Sequence, residues 1–436
     1  MHNKILIANR GEIALRILRC CKKLDIKTTA IYSTIDKNLI HIYQANESIC
    51  IGNENPKDSY LNTNNIISAA EISGCDAIHP GYGFLSENAA FAEQTTKSKI
   101  VFIGPSANSI KLMSNKPTAI ELMKKHDIEC LSSYKCGKNK KDNITLANKI
   151  GYPIILKITH GGGGKGIRIV ENDKNLKKEL EIVKKEANIS FKNSSIYMEK
   201  YLNTPRHIEI QILKDQANNI IFLGERECTI QQNHQKIIEE TPVANINEEL
   251  LNEIKKKCIT VCNEINYYNA GTFEFLYENN KFFFIEMNTR LQVEHTITEM
   301  VTGIDIVENQ IKISAKEKLN IKQKDVKILG HAIECRINIV NPKKIRNKIT
   351  FLHIPSGNGI RFDSHIYNGY EIPIHYDPLL GKLITYGNTR IDAINKMISA
   401  LDEITIFDIE TNIQKLKNII LLESFKTNNI HTNLFK

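Results

Sequence analysis

The sequence predicts an α/β protein, built on a parallel sheet at the start and α+β in its central and C-terminal parts. Three observations carry this. Strand and helix alternate through the first quarter of the chain, longer strands pair as hairpins through the middle, and a glycine-rich loop flanked by strands stands between the two patterns.

The alternation opens with a strand at Ile5–Ala8, a helix at Glu12–Leu24 and a second strand at Lys27–Tyr32. Further strands follow at Asp76–His79 and Ile100–Ile103, separated by helices around Ile66–Ile72 and Ala89–Gln94. This rhythm calls for a parallel sheet with helices on both faces. The first turn, Asn9-Arg10-Gly11-Glu12, lacks G-x-G-x-x-G, which argues against a nicotinamide site there. Beyond Lys116 come a helix at Pro117–Lys125, a strand at Tyr152–Ile158, the glycine-rich loop, a strand at Ile167–Val170 and a helix at Asp173–Ala187. From Ser195 the strands pair as hairpins: Arg206–Leu213 with Ile220–Glu227, and Gly271–Tyr277 with Lys281–Met287 across Glu278-Asn279-Asn280. A mixed region with a helix at Ile391–Ile404 closes the chain. The expected division is 1–115, 116–200 (a small lobe), 201–329 and 330–436.

The 436 residues provide for about three domains, and 42% hydrophobic with 25% charged residues is a globular composition. The net charge of +9 comes with Lys, Asn and Ile spread over the whole chain. It therefore forms no stripe for nucleic acid, although a locally positive site for an anionic substrate is expected. The ten Cys show no C-x-x-C or other metal-ligand spacing, so reduced, mostly buried thiols are expected. With no signal peptide ahead of the first strand, and no apolar run near the ~20 residues that span a bilayer, a cytoplasmic protein without membrane contact is expected.

Chemistry concentrates in three places. Between Glu286 and Glu294 every second residue is polar: Glu286, Asn288, Arg290, Gln292, Glu294. As one extended strand this segment would put two carboxylates, two amides and a guanidinium on one face; taken alone, it also fits a half-buried strand with a solvated face. The hairpin brings Glu274 near Glu286, and with Asn288 these acids suit one or two Mg²⁺ ions. The run His160-Gly161-Gly162-Gly163-Gly164-Lys165-Gly166 lacks both the helix that follows a dinucleotide loop and the Ser/Thr of a P-loop. It reads instead as a hairpin tip whose bare N–H groups close over phosphates, with Lys157 adding charge.

The runs Ile7-Ala8-Asn9-Arg10-Gly11-Glu12-Ile13-Ala14, His79-Pro80-Gly81-Tyr82-Gly83-Phe84-Leu85-Ser86-Glu87-Asn88, His234-Gln235-Lys236, Gly271-Thr272-Phe273-Glu274-Phe275 and Glu286 to His295 resemble biotin carboxylase, the ATP-grasp component of biotin-dependent carboxylases. The resemblance runs in order from the first strand to Thr411-Asn412. It implies an ATP-grasp fold with a Rossmann-like N-terminal domain and a C-terminal mixed β domain. It also implies a ligase that uses Mg-ATP (or Mn-ATP) and bicarbonate to carboxylate biotin. On that resemblance Lys116, Lys157, Gly163 and Gly164 would hold ATP phosphates, and Glu199, Lys200, Tyr201 and Leu202, as a linker, would read the adenine. His207 and His234 would line the nucleotide site, and Glu274, Glu286 and Asn288 would bind metal. Lys236, Arg290, Gln292 and the Val293 backbone would hold bicarbonate. Glu294 would be the general base, and Arg336 would face the transferring group.

Several positions depart from the family pattern: His160, Ser114-Asn115 before Lys116, Gln232-Asn233, Lys343–Lys348 and Thr296. None removes a catalytic side chain. No Met-Lys-Met biotin acceptor occurs, so a separate biotin carboxyl carrier protein is expected, with carboxyltransferase subunits completing an acetyl-CoA carboxylase of fatty acid synthesis. The family implies a homodimer, in which Lys23, where relatives often carry an acid, would alter a contact. Two other readings stand beside this one: a different ATP-grasp ligase, and a nucleotide-binding partner that no longer turns over.

Overall fold

The side chains of β1 (Lys4–Ile7) alternate between two cores, as a strand sandwiched by helices requires. Ile5 and Ile7 pack with Ile13, Ile17 and Cys21 of the Gly11–Lys23 helix, whereas Leu6 packs on the other face with Ile66, Ile78 and Phe91. Around β1 lie β2 (Lys27–Ser33), β3 (Glu47–Gly52), β4 (Ala77–His79) and β5 (Val101–Phe102), in the order β3-β2-β1-β4-β5 and all parallel. The edge strand β3 was not expected. It buries only Ile51 fully, so it lacks the continuous apolar run that marks the central strands. The computed structural model describes residues 1–137, 139–158, 168–191, 195–340 and 348–435. The glycine-rich loop, with His160, Gly163 and Gly164, lies outside the described residues, as does most of the 343–348 segment.

The small lobe is an antiparallel sheet of β6 (Ser133–Lys135), β7 (Ile154–Ile158), β8 (Arg168–Val170) and β9 (Ile196–Lys200), ordered β6-β9-β7-β8. Leu156, Val170, Leu176, Val183 and Met198 give it a core of its own. Glu199 and Lys200, expected in a linker, are instead the end of β9, because Glu199 pairs across to both Ser133 and Ile155.

The large sheet takes in β10 (Arg206–Lys214), β11 (Ile220–Gln232), β12 (Gln235–Thr241), β13 (Asn269–Glu278), β14 (Lys281–Asn288) and β15 (His331–Asn338). After a short β16 (Leu352–His353), β17 (Ile360–Ser364) and β18 (Leu379–Gly387) complete it. The order β14-β13-β10-β11-β12-β15-β18-β17 is antiparallel throughout and crosses residue 330 without a break. Among the described residues β19 (Thr405–Ile406) pairs only with β16.

Both expected hairpins form. In the second, Glu278 pairs with Lys281 across Asn279-Asn280, whose φ values of 51° and 56° suit asparagine in a tight primed turn. The β11–β12 turn is built the same way: Gln232 pairs with Gln235, and Asn233 and His234 have φ of 51° and 62°. Asn233 thus meets a backbone requirement.

Candidate active site

The register of the large sheet sets four side chains in one row. Arg226 on β11 is opposite Glu209 on β10, Glu209 is opposite Glu274 on β13, and Glu274 is opposite Glu286 on β14. A row of three acids is sustained only by cations close by. Lys236 supplies one: its Nζ reaches Glu209, Glu274 Oε1 at 2.9 Å and Glu294 Oε1 at 2.9 Å. Arg336 supplies another, donating to Glu239 at 2.6 Å and to Glu294 Oε2 at 3.1 Å.

The single strand expected over Glu286–Glu294 is not what forms. β14 ends at Asn288, and Glu294 stands at the N-cap of the His295–Thr302 helix. The chain leaves the sheet because Glu87, from the N-terminal domain, takes the Thr289 N–H at 3.0 Å and the Arg290 Nε at 2.9 Å. The polar residues still converge, through a loop that turns back over the sheet. Arg290 Nη2 donates to Asn288 Oδ1 at 2.8 Å, and Gln292 Nε2 donates to Glu274 Oε1 at 2.6 Å.

These groups face a cleft of about 910 Å³ between the small lobe, the large sheet and the N-terminal domain. Each site residue named from the sequence that lies among the described residues lines it. Lys116, Lys157, Glu199, Lys200, Tyr201 and Leu202 come from the Lys116–Lys125 helix, the small lobe and the segment that follows it; His207, His234, Lys236, Glu274, Glu286, Asn288, Arg290, Gln292, Val293, Glu294 and Arg336 form the rest. Glu199 bridges Lys116 and Lys157, 2.6 Å from each. Burial pulls its carboxyl up, but the charges of Lys157 and Lys116 prevail and hold it at about 2. The Lys200 ammonium is already engaged, donating to the carbonyls of Gly151 at 2.9 Å and Tyr152 at 3.0 Å. Asn115 caps the Lys116–Lys125 helix, its side-chain oxygen accepting from Thr118 N–H.

Electrostatics divides the acids. Burial works against ionised Glu294, but Lys236, Arg336 and Arg226 hold its carboxyl well below the usual range, so it is a carboxylate at neutral pH. Glu274 is held down in the same way, against burial, by Lys236 and His207. Glu286 is pushed up, chiefly by the facing charge of Glu274. A divalent cation between Glu274 and Glu286 would relieve that repulsion, and carboxylate oxygens are donors that Mg²⁺ takes. Asn288 adjoins them, its NH₂ donating to Glu274 Oε1 at 2.6 Å and its oxygen accepting from Arg290. Among the described residues the ligand atoms that lie within 4.8 Å of one another belong to His207, Glu209 and Glu274, and to Glu209, Cys228 and Glu294.

Sequence reasoning passed over Glu87, Glu209, Arg226 and Glu239. Glu87 sat inside a quoted run, but nothing local says that it crosses to Arg290. Glu209 was visible as the middle of the polar alternation His207, Glu209, Gln211 on a strand.

A cleft closed by a small antiparallel lobe, with lysines on the lobe side and paired acids on the sheet below, defines an ATP-grasp enzyme. Models of the biotin carboxylase N-terminal domain, the ATP-binding domain of the carbamoyl-phosphate synthase L chain and the biotin carboxylase C-terminal domain match residues 1–110, 115–322 and 334–436. The biotin carboxylase of Haemophilus influenzae is 51% identical over 99% of this chain and 98% of its own length. The biotin carboxylase of Campylobacter jejuni, solved as a β-γ-ATP complex, superposes with a TM-score of 0.93 at 44% identity, covering 99% of this chain and 98% of that one. The biotin carboxylase domain dimer of Hydrogenobacter thermophilus 2-oxoglutarate carboxylase, solved with MgADP and bicarbonate, gives 0.93 at 41% identity over 99% and 97%. The chain belongs to the biotin carboxylase family, whose members are ATP-dependent ligases.

Proposed function

We propose that this chain carries out the first half-reaction of an acetyl-CoA carboxylase, carboxylating biotin carried on a separate protein. The observation that carries the reading is the meeting of Lys236, Glu294, Arg290 and Arg336 beside the Glu274–Glu286 pair, which supports an anion site and a base next to a metal-phosphate site.

Lys116 and Lys157 would meet ATP phosphates, exchanging Glu199 for them, and Gly163 and Gly164 are assigned to the phosphates from the family resemblance alone. Glu274, Glu286 and Asn288 would hold Mg²⁺, which when bound neutralises phosphate charge. Bicarbonate rests against Lys236, Arg290, Gln292 and the Val293 backbone. Glu294 takes its proton as the bicarbonate oxygen attacks the γ-phosphorus; the bond to ADP breaks and carboxyphosphate forms. Carboxyphosphate then yields CO₂ and phosphate, and the phosphate accepts the proton of the biotin ureido nitrogen. Arg290 stabilises the resulting enolate-like anion, and that nitrogen attacks CO₂ in front of Arg336.

The test is bicarbonate-dependent ATP cleavage with free biotin. Glu294→Gln is expected to lower kcat about 10²–10⁴-fold, the usual worth of a general base. Arg290→Ala is expected to lose about 10²-fold or more. Near-parental rates in both would refute the assignment. The acetyl-CoA acceptor and the role in fatty acid synthesis are inferred from the family, a homodimer from the dimeric relative, and a cytoplasmic setting from ten free thiols. Because one relative is part of a 2-oxoglutarate carboxylase, isolating the native complex and assaying its carboxyltransferase on acetyl-CoA, pyruvate and 2-oxoglutarate is the deciding experiment.

A further inference from the structure

Arg226 is fully buried, and each face of its guanidinium is occupied. Nε donates to Glu209 Oε2 at 3.1 Å, and Nη1 donates to Gln211 Oε1 at 2.8 Å and Thr298 Oγ1 at 3.1 Å. Nη2 donates to Thr272 Oγ1 at 3.2 Å and to Gln292 Oε1. These partners come from β10, β13, the loop after β14 and the His295–Thr302 helix, so one side chain ties together four segments around the anion site. That is the full donor set of an arginine, which has no acceptor to offer.

That one-sidedness has a consequence for Gln292. A carboxamide has a donor end and an acceptor end, and rotating it by half a turn exchanges them. With Arg226 on one side only the oxygen fits there, and the NH₂ end must face Glu274 on the cleft side. Flipped, the NH₂ would oppose N–H donors and the oxygen would oppose a carboxylate, leaving buried groups unpaired. We propose that Arg226 is a positioning residue for bicarbonate capture: it locks the Gln292 amide so that an N–H, not a lone pair, meets the anion. This rests on the assignment of Gln292 to bicarbonate.

The test uses the full-length chain with MgATP, free biotin and varied bicarbonate. Arg226→Lys keeps the charge but loses the fork. It is expected to raise the KM for bicarbonate at least tenfold and to keep the KM for ATP within twofold. Gln292→Ala is expected to raise the bicarbonate KM comparably, and the double variant to be no worse than Gln292→Ala alone, since residues acting through one another do not add. Thr298→Val removes one partner of Arg226 without touching charge, and is expected to shift the bicarbonate KM about twofold or more in the same direction. If Arg226→Lys does not fold, Thr298→Val carries the test, and an unchanged bicarbonate KM overturns the proposal. A folded Arg226→Lys that only melts earlier, or multiplicative losses in the double variant, also overturns it. An unchanged bicarbonate KM in Gln292→Ala overturns instead the assignment of the anion site.

Discussion

Glu199 holds two lysines that belong to different segments, one from the helix at Lys116 and one from β7, and it does so while buried. Its carboxyl lies at about 2 in the folded protein against an ordinary 4.5, so the unfolded chain takes up the proton first as pH falls. The stabilisation is therefore complete above about pH 4.5 and is lost progressively as pH falls toward 2. Glu199→Gln is expected to lower urea-unfolding stability at pH 7 by on the order of 2 kcal/mol, allowing for the exposure of both lysines. The gap from the parent should shrink by half or more near pH 3; an equal gap at both pH values would contradict the assignment. At this scale much was legible. The pairing of Glu274 with Glu286 followed from the hairpin pattern, and the other cleft-lining residues from the family runs. Arg226 was not, because a lone arginine in a strand carries no sign of the five acceptors that other segments bring to it.

Among the elements, the hairpins were readable because turn chemistry is local: two asparagines at positive φ, with strand patterns on either side, leave few alternatives. The end of β14 was not, because the polar alternation continues past Asn288 while the hydrogen-bond partner changes from a strand to Glu87. The His295–Thr302 helix that follows is fastened to β15 by Thr296, whose hydroxyl donates to the Glu334 carboxyl. Burial pushes that carboxyl up to about 8, and its other oxygen has no hydrogen-bond partner among the described residues. Thr296→Val is expected to destabilise the protein by about 1–2 kcal/mol, since it leaves a buried acid unsatisfied. Chemical denaturation measures this; an unchanged midpoint would show the bond to be incidental.

Across the whole molecule, the N-terminal domain is bound to the C-terminal region through Arg10. It pairs with buried Asp36 at 2.6 Å, donates to Tyr370 at 3.4 Å and lies 4.2 Å over the Tyr376 ring. Tyr60 completes the set, donating to Asp36 at 2.7 Å. Removing one partner of a buried pair leaves the other charge uncompensated, so Asp36→Ala is expected to lose about 3–5 kcal/mol in urea unfolding. A loss below about 1 kcal/mol would mean that the tyrosines carry the junction. Lys23, expected to affect a contact between subunits, is engaged within the chain, 2.7 Å from Glu308. Membership of the family, the parallel-then-antiparallel plan and the residues that line the cleft were legible in the sequence alone, because periodicity, turn residues and long ordered motifs are local properties. Which acid faces which cation, where the polar strand stops, and which way the Gln292 amide points were decided only by the tertiary structure. Each depends on charges and hydrogen-bond partners far apart in the chain, and in a buried site those partners settle the outcome.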